Sequence, residues 1–218
     1  MIVPGTIDKY ADYIKTVNSR WEFANNILYD MCRFNPKHDD ENIIVGKIWL
    51  IGRSYAAAIE RRKNAQKGND DFYYDVVAPK MLEKGKELDN RLKRIRNNKG
   101  SIKDNLAEIL GAHKFLLDIF YELTKLEKRS LASKYLHFHC PDKFFIYDSR
   151  ARAAIFKIVK RPDKQVHYGI NYKDEEYADF VCRMLEFQQE IHENFNGKYE
   201  SPRDLDNYLL KSFGNISL

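Results

Sequence analysis

The chain has 218 residues, of which 44% are hydrophobic and 32% charged. That supplies apolar surface for one core and is too apolar for a disordered chain. The net charge is only +5, and the longest apolar stretches, residues 47–51 and 116–121, fall far short of the roughly 20 residues of a bilayer-spanning helix.

No Pro/Gly/Ser-rich linker divides the sequence, so one helical domain over residues 1–218 is expected. The opening Met-Ile-Val-Pro-Gly has neither a basic region nor an apolar run, and a cytoplasmic location is the expectation. Cys32, Cys140 and Cys182 are odd in number and widely spaced, which suits reduced thiols and excludes a four-cysteine cluster within the chain.

In chain order, Thr6 reads as an N-cap, followed by Ile7, Tyr10, Ile14, Val17, Trp21, Leu28 and Met31 at helical spacing, ending before Pro36. Asp39 and Asp40 introduce a second helix over 41–62, apolar on several sides. A polar loop over 64–71 leads to a helix over 72–96, interrupted or restarted by Pro79. Ser101 reads as the cap of a long core helix carrying Leu106, Ile109, Leu110, Leu116, Leu117 and Phe120, with His113 as a hydrogen-bonded core residue.

A short helix over 130–139 stops at Cys140-Pro141, and a compact loop leads to Asp148, where the next helix begins. Arg161-Pro162-Asp163 ends that helix. A short strand pair near 166–172, an amphipathic helix over 174–195 stopped by Asn196-Gly197, and a final helix opened by Ser201-Pro202 complete an all-α fold.

Positive charge is clustered. Arg91, Lys93, Arg94, Arg96, Lys99 and Lys103 follow one another without an intervening acid, and Arg61, Arg62 and Lys63 form a second run. Such clusters attract polyanions through counterion release, and they equally suit solvated helix ends that complement the helix dipole. There is no phosphate-cradling glycine loop, no paired-cysteine zinc motif and no zinc-deaminase signature. No metal or cofactor is expected.

The stretch from Ser130 through Lys134-Tyr135-Leu136-His137-Phe138-His139-Cys140-Pro141 to Ile146-Tyr147-Asp148-Ser149-Arg150 resembles the core of the helix-hairpin-helix (HhH-GPD) DNA glycosylases. In that family a helix after the hairpin runs into a Pro-containing loop, and an aspartate caps the next helix while facing the active-site pocket. A second stretch, Trp49 to Arg61, is similar to the family's early helix, whose polar turn fills the gap left by a flipped base; Gly52, Arg53, Ser54 and Tyr55 occupy that turn here. Together the two cover about a fifth of the chain.

The resemblance implies a two-lobed all-α domain with a cleft between lobes, acting as a monomer on double-stranded DNA. Asp148 is the implied catalytic carboxylate: cleavage of an N-glycosidic bond builds positive charge on the sugar, which a fixed anion stabilises. Arg53, Ser54 and Tyr55 are implied at the duplex gap. Tyr135, His137 and Tyr147 are implied at the base pocket, and Lys125, Lys128, Arg129, Lys134, Arg150 and Arg152 at phosphates. His137 and His139 lie about 200° apart on a helix, so one is expected buried and the other near the pocket.

The sequence departs from the family at two points. The segment from Leu123 to Ser130 lacks the Gly-x-Gly hairpin, and Lys134 lies nearer the aspartate than the nucleophilic lysine of strand-cleaving branches, so base excision without strand cleavage is expected. A role in defence, such as removing glucosylated hydroxymethylcytosine from phage DNA, fits this atypical pattern, although no motif identifies that base. The alternative reading is a non-catalytic helical DNA-binding protein in which Asp148 only caps its helix.

Overall fold

The computed structural model describes residues 2–15, 21–63, 68–160, 162, 167 and 169–213. Its helices are α1 (Thr6–Ile14), α2 (Glu22–Phe34), α3 (Glu41–Ser54), α4 (Asn69–Phe72), α5 (Ala78–Asn97), α6 (Leu106–Thr124), α7 (Arg129–His139), α8 (Ser149–Ile158), α9 (Glu175–Ile191) and α10 (Pro202–Phe213). The described residues hold no strand; Ile2 and Val159 form an isolated antiparallel bridge. The expected strand pair falls partly on residues outside those described. No helix of the described residues is long and apolar enough to cross a membrane.

One contiguous apolar cluster runs from Tyr10 in α1 to Leu209 in α10. Its axis is α6, buried along nearly its whole length and packed against α5 and α7. His113 sits on it fully buried, stacked on Tyr177 at 3.7 Å, and burial lowers its pKa to about 4. It is a neutral core ring.

Several boundaries differ from the pattern in the sequence. The first helix is recorded as two, with Val17 outside the described residues; Trp21, which the spacing assigns to the buried stripe, is 76% exposed. Thr6 opens α1 without capping it: Gly5 is the cap residue, at φ 76°, and the Thr6 hydroxyl donates to Val3 O.

The helix expected over 41–62 stops at Ser54. Ala56 takes φ 52° while its N–H reaches Arg53 O and the Ala57 N–H reaches Gly52 O at 2.7 Å. This is a Schellman closure with alanine in the left-handed position that glycine usually fills. The alanine run favours helix, but burial of Ala58 and Ile59 outweighs that propensity.

Pro79 lies in the first turn of α5 and follows a π-helical turn, Tyr73–Val77. The wider turn carries the chain past a residue with no N–H to give. Ser101 and Asp104 exchange capping bonds, Asp104 N to Ser101 Oγ and Ser101 N to Asp104 Oδ2, one turn before α6 begins at Leu106. At the start of α10 Asp204 N likewise donates to Ser201 Oγ, and the Ser201 hydroxyl donates to Asp204 Oδ2 at 2.6 Å.

Candidate functional site

The site begins at the corner between α6 and α7. Lys125 closes α6 in the left-handed conformation, φ 56°, and α7 restarts at Arg129. On α7 the residues Ser130, Lys134 and His137 recur at steps of four and three, so they share one face. Tyr135 and His139 belong to another.

The loop before Asp148 is held by side chains. His137 Nδ1 bonds Phe144 O at 2.9 Å, the Tyr177 hydroxyl donates to Phe145 O at 2.9 Å, and the Ser133 hydroxyl accepts from Tyr147 N at 3.0 Å. These bonds fix where Asp148 enters α8. Its Oδ1 accepts from Arg150 N at 3.0 Å and Ala151 N at 2.9 Å, an N-cap on two amides.

Its Oδ2 faces Lys134 Nζ at 3.5 Å. The Lys134 side chain is 3% exposed and that of Asp148 18%. Lys134 Nζ also donates to Ser130 Oγ at 2.9 Å and to Tyr55 O at 3.2 Å, which completes the C-terminus of α3. Burial lowers the pKa of Lys134, opposed by Asp148 and Asp206.

Three residues that the sequence pattern did not mark complete the cluster. Arg203 of α10 donates from Nε to the Tyr29 hydroxyl at 3.1 Å and from Nη1 to Asp206 Oδ2 at 3.4 Å. Its guanidinium lies over the rings of Tyr55 and Phe138, at 5.3 and 5.6 Å. Tyr29 in turn meets His137 Nε2 at 2.7 Å, and burial followed by the Arg203 charge lowers His137 to about 3. Asp206 is 2% exposed, and desolvation pushes its pKa from 3.8 up to about 7.

The residues expected at the base pocket are not brought together. Tyr135 is fully buried on the opposite side of α7, its hydroxyl bonded at 2.7 Å to His38, which also meets Asp89 at 2.6 Å. Tyr147 is in the core, with its hydroxyl on Glu176 at 2.5 Å. His137 is fully buried and reaches the cluster only through Tyr29, and His139 is buried too, against His38 and Tyr135. Of the two histidines, one expected buried and the other near the pocket, both are buried.

Tyr55 is half-buried, donates to Asn25 Oδ1 at 2.5 Å and forms a wall of the cluster, so it is no free wedge. Arg53 and Ser54 are exposed, with Arg53 paired to Glu60 at 2.6 Å.

Most of the expected phosphate contacts have protein partners. Arg129 pairs with Glu127, Asp174 and Glu176, and Arg152 with Glu176 at 3.0 Å. Lys128 donates to Ala58 O at 3.0 Å, and burial and then Arg61 lower its pKa to about 8. Lys134 is too deeply buried to serve as an open phosphate contact. Lys125 and Arg150 are exposed. In the basic run, Arg91 pairs with Glu87 and Arg94 with Glu108, while Lys93, Arg96, Lys99 and Lys103 are exposed.

No group of three or more His, Cys, Asp or Glu among the described residues is placed to hold a metal ion. A cavity of about 850 Å³ is bordered by Ile102, Lys143, Leu185, Gln189, Tyr199 and, at the start of α10, Pro202; Asp148 does not line it. No protein-family model matches the chain, and no curated protein and no solved structure matches it either.

Proposed function

We propose that the chain is a monofunctional DNA glycosylase, a two-lobed helical protein in which the α6–α7 corner takes the place of the hairpin and Asp148 is the catalytic carboxylate. The observation that carries this reading is the division of labour within one side chain. Oδ1 of Asp148 is immobilised by two amides, while Oδ2 has only a loose 3.5 Å contact with Lys134 and the side chain remains partly exposed. A carboxylate fixed through one oxygen is preorganised to stabilise a cationic sugar, because no reorganisation is needed as charge develops.

The surroundings of Lys134 support hydrolysis without strand cleavage. An amine that attacks an abasic sugar needs a free lone pair, and the hydrogens of this ammonium have three acceptors, Tyr55 O, Ser130 Oγ and Asp148 Oδ2. Burial pulls the other way by lowering the pKa, so borohydride trapping decides between them. Arg150, exposed in the first turn of α8, and Lys125, exposed at the α6–α7 corner, are the best placed of the expected phosphate contacts.

The test is incubation with duplexes carrying unmodified, damaged and phage-modified bases, followed by alkali. Alkali-labile sites that disappear in Asp148→Asn while DNA binding persists are the expected result. Absence of such sites across all three duplex classes overturns the reading. Two observations favour a second reading, a non-catalytic DNA-binding protein: Asp148 makes the ordinary bonds of an N-cap, and it does not line the 850 Å³ cavity. Under that reading Asp148→Asn leaves binding and every DNA product unchanged.

A further inference from the structure

Two cation–carboxylate pairs share the ring of Tyr55. Lys134 Nζ lies 5.6 Å from its centroid and the Arg203 guanidinium 5.3 Å, the first paired with Asp148 and the second with Asp206. Each pair joins a buried member to a partly exposed one, with the buried member the cation in one and the acid in the other: Lys134 at 3% with Asp148 at 18%, and Asp206 at 3% with Arg203 at 16%.

The Arg203–Asp206 pair is poorly satisfied. Asp206 Oδ1 and Arg203 Nη2 are buried and have no hydrogen-bond partner among the described residues, and the one bond between the two side chains is long, 3.4 Å. An ionised carboxylate so placed is costly, and taking up a proton removes most of that cost.

The groups facing Asp206 come from every element around it. They are Tyr13 of α1, Tyr29 of α2, Tyr55 at the end of α3, Lys134 of α7, Asp148 and Arg150 at the start of α8, and Arg203 one turn before it in α10. Burial and then Asp148 favour the neutral acid; Arg203, Lys134 and Arg150 favour the anion.

We propose that Asp206 is a proton-holding positioning residue for the Asp148 site. When protonated it leaves Arg203 and Lys134 in excess over Asp148, so that the site accepts an anionic group of its substrate; when ionised it ties Arg203 down and cancels that charge. The identity of the anion as a DNA phosphate oxygen rests on the reading given above. The titration itself belongs to the chain alone. With the Asp206 pKa pushed up to about 7, the accepting form predominates below neutrality and is lost above it.

The experiment compares the wild-type chain with Asp206→Asn, which keeps the shape and stays neutral. Carboxyl carbon NMR on aspartate-labelled protein without DNA identifies the Asp206 signal as the one missing from the variant, with an expected midpoint near 7. Affinity for a short duplex containing a tetrahydrofuran abasic analogue is measured at constant ionic strength. If only the protonated form binds, the wild-type Kd rises about tenfold from pH 6 to pH 8, as the competent fraction falls. The variant holds its pH 6 affinity at both.

Thermal unfolding supplies the control on folding. An acid whose folded-state pKa is raised contributes stability that is present in full below about pH 4 and lost as pH rises through about 7. The variant therefore gains in Tm over wild type along that rise. A midpoint for Asp206 in the ordinary carboxylate range, or the same pH response of binding in both proteins, overturns the proposal. Failure to form abasic sites at any pH, with titration and pH-dependent binding intact, removes the excision reading and leaves this one standing.

Discussion

Asp148 and Asp174 are the same residue type in the same local role, and the contrast between them separates a cap from a candidate catalyst. Each caps a helix, α8 and α9, and each meets a cation contributed by α7. Asp174 Oδ1 accepts both Tyr177 N at 2.8 Å and Arg129 Nε at 2.7 Å, and its side chain is 9% exposed. Although burial opposes it, the Arg129 bond and the cap amide together lower its pKa. Capping and ion pairing there meet on one oxygen in a tight structural joint. Asp148 has its cap on one oxygen and its cation loosely on the other, at 3.5 Å, with twice the exposure. A cap aspartate by itself therefore says nothing about catalysis; what distinguishes Asp148 is a cation held loosely on a separate oxygen and a more exposed side chain.

The largest expected effect breaks that pair apart by function. Asp148→Asn keeps an amide oxygen for the cap, so the fold persists, but removes the anion, and abasic-site formation should fall about 100-fold or more. Asp174→Asn, assayed beside it, should stay within a few-fold of wild type. Equal losses in both variants would mean that Asp148 acts only through the fold.

Stability should show the reverse order. Asp174→Ala strips α9 of its cap and leaves the half-buried Arg129 with only Glu127 and Glu176, a loss of about 2 kcal/mol, whereas Asp148→Ala should cost about 1 kcal/mol, both read from denaturant midpoints. The cations also differ. Borohydride added during turnover should trap no covalent protein–DNA adduct at Lys134, because its three hydrogens are already bonded. An adduct lost in Lys134→Met would establish strand-cleaving chemistry in its place.

What was legible in the sequence was local. Asp40, Asp148 and Ser201-Pro202 mark helix starts through bonds that span only a few residues, and all three starts fall where the pattern puts them. The end of α3 was not legible, because its alanines favour helix and only packing of Ala58 and Ile59 stops it. The side of α7 that Tyr135 faces was equally hidden, since α7 is buried all round and an apolar pattern cannot choose among its faces. Arg203 and Asp206 were missed for a different reason. An Arg–Asp pair three residues apart on an amphipathic helix reads as a surface pair, and only the packing of α10 against α8 turns it inward.

The smallest expected effect tests the rim of the Asp148 site. Arg150 is exposed in the first turn of α8 and makes no ion pair with any described residue, whereas Arg152, two residues on, is held by Glu176. On the proposed reading a phosphate reaching Asp148 would pass a helix N-terminus, where amide dipoles favour an anion, and Arg150 is the arginine of that turn with no ion pair among the described residues. Arg150→Ala should weaken duplex binding several-fold across all sequences and lower the salt dependence of log K by about 1, the signature of one lost phosphate contact. Arg152→Ala should leave the slope almost unchanged, because its charge is already compensated within the chain. A slope unchanged in Arg150→Ala would place the DNA on another face, with the exposed Lys93, Lys99 and Lys103 as the next charges to reverse.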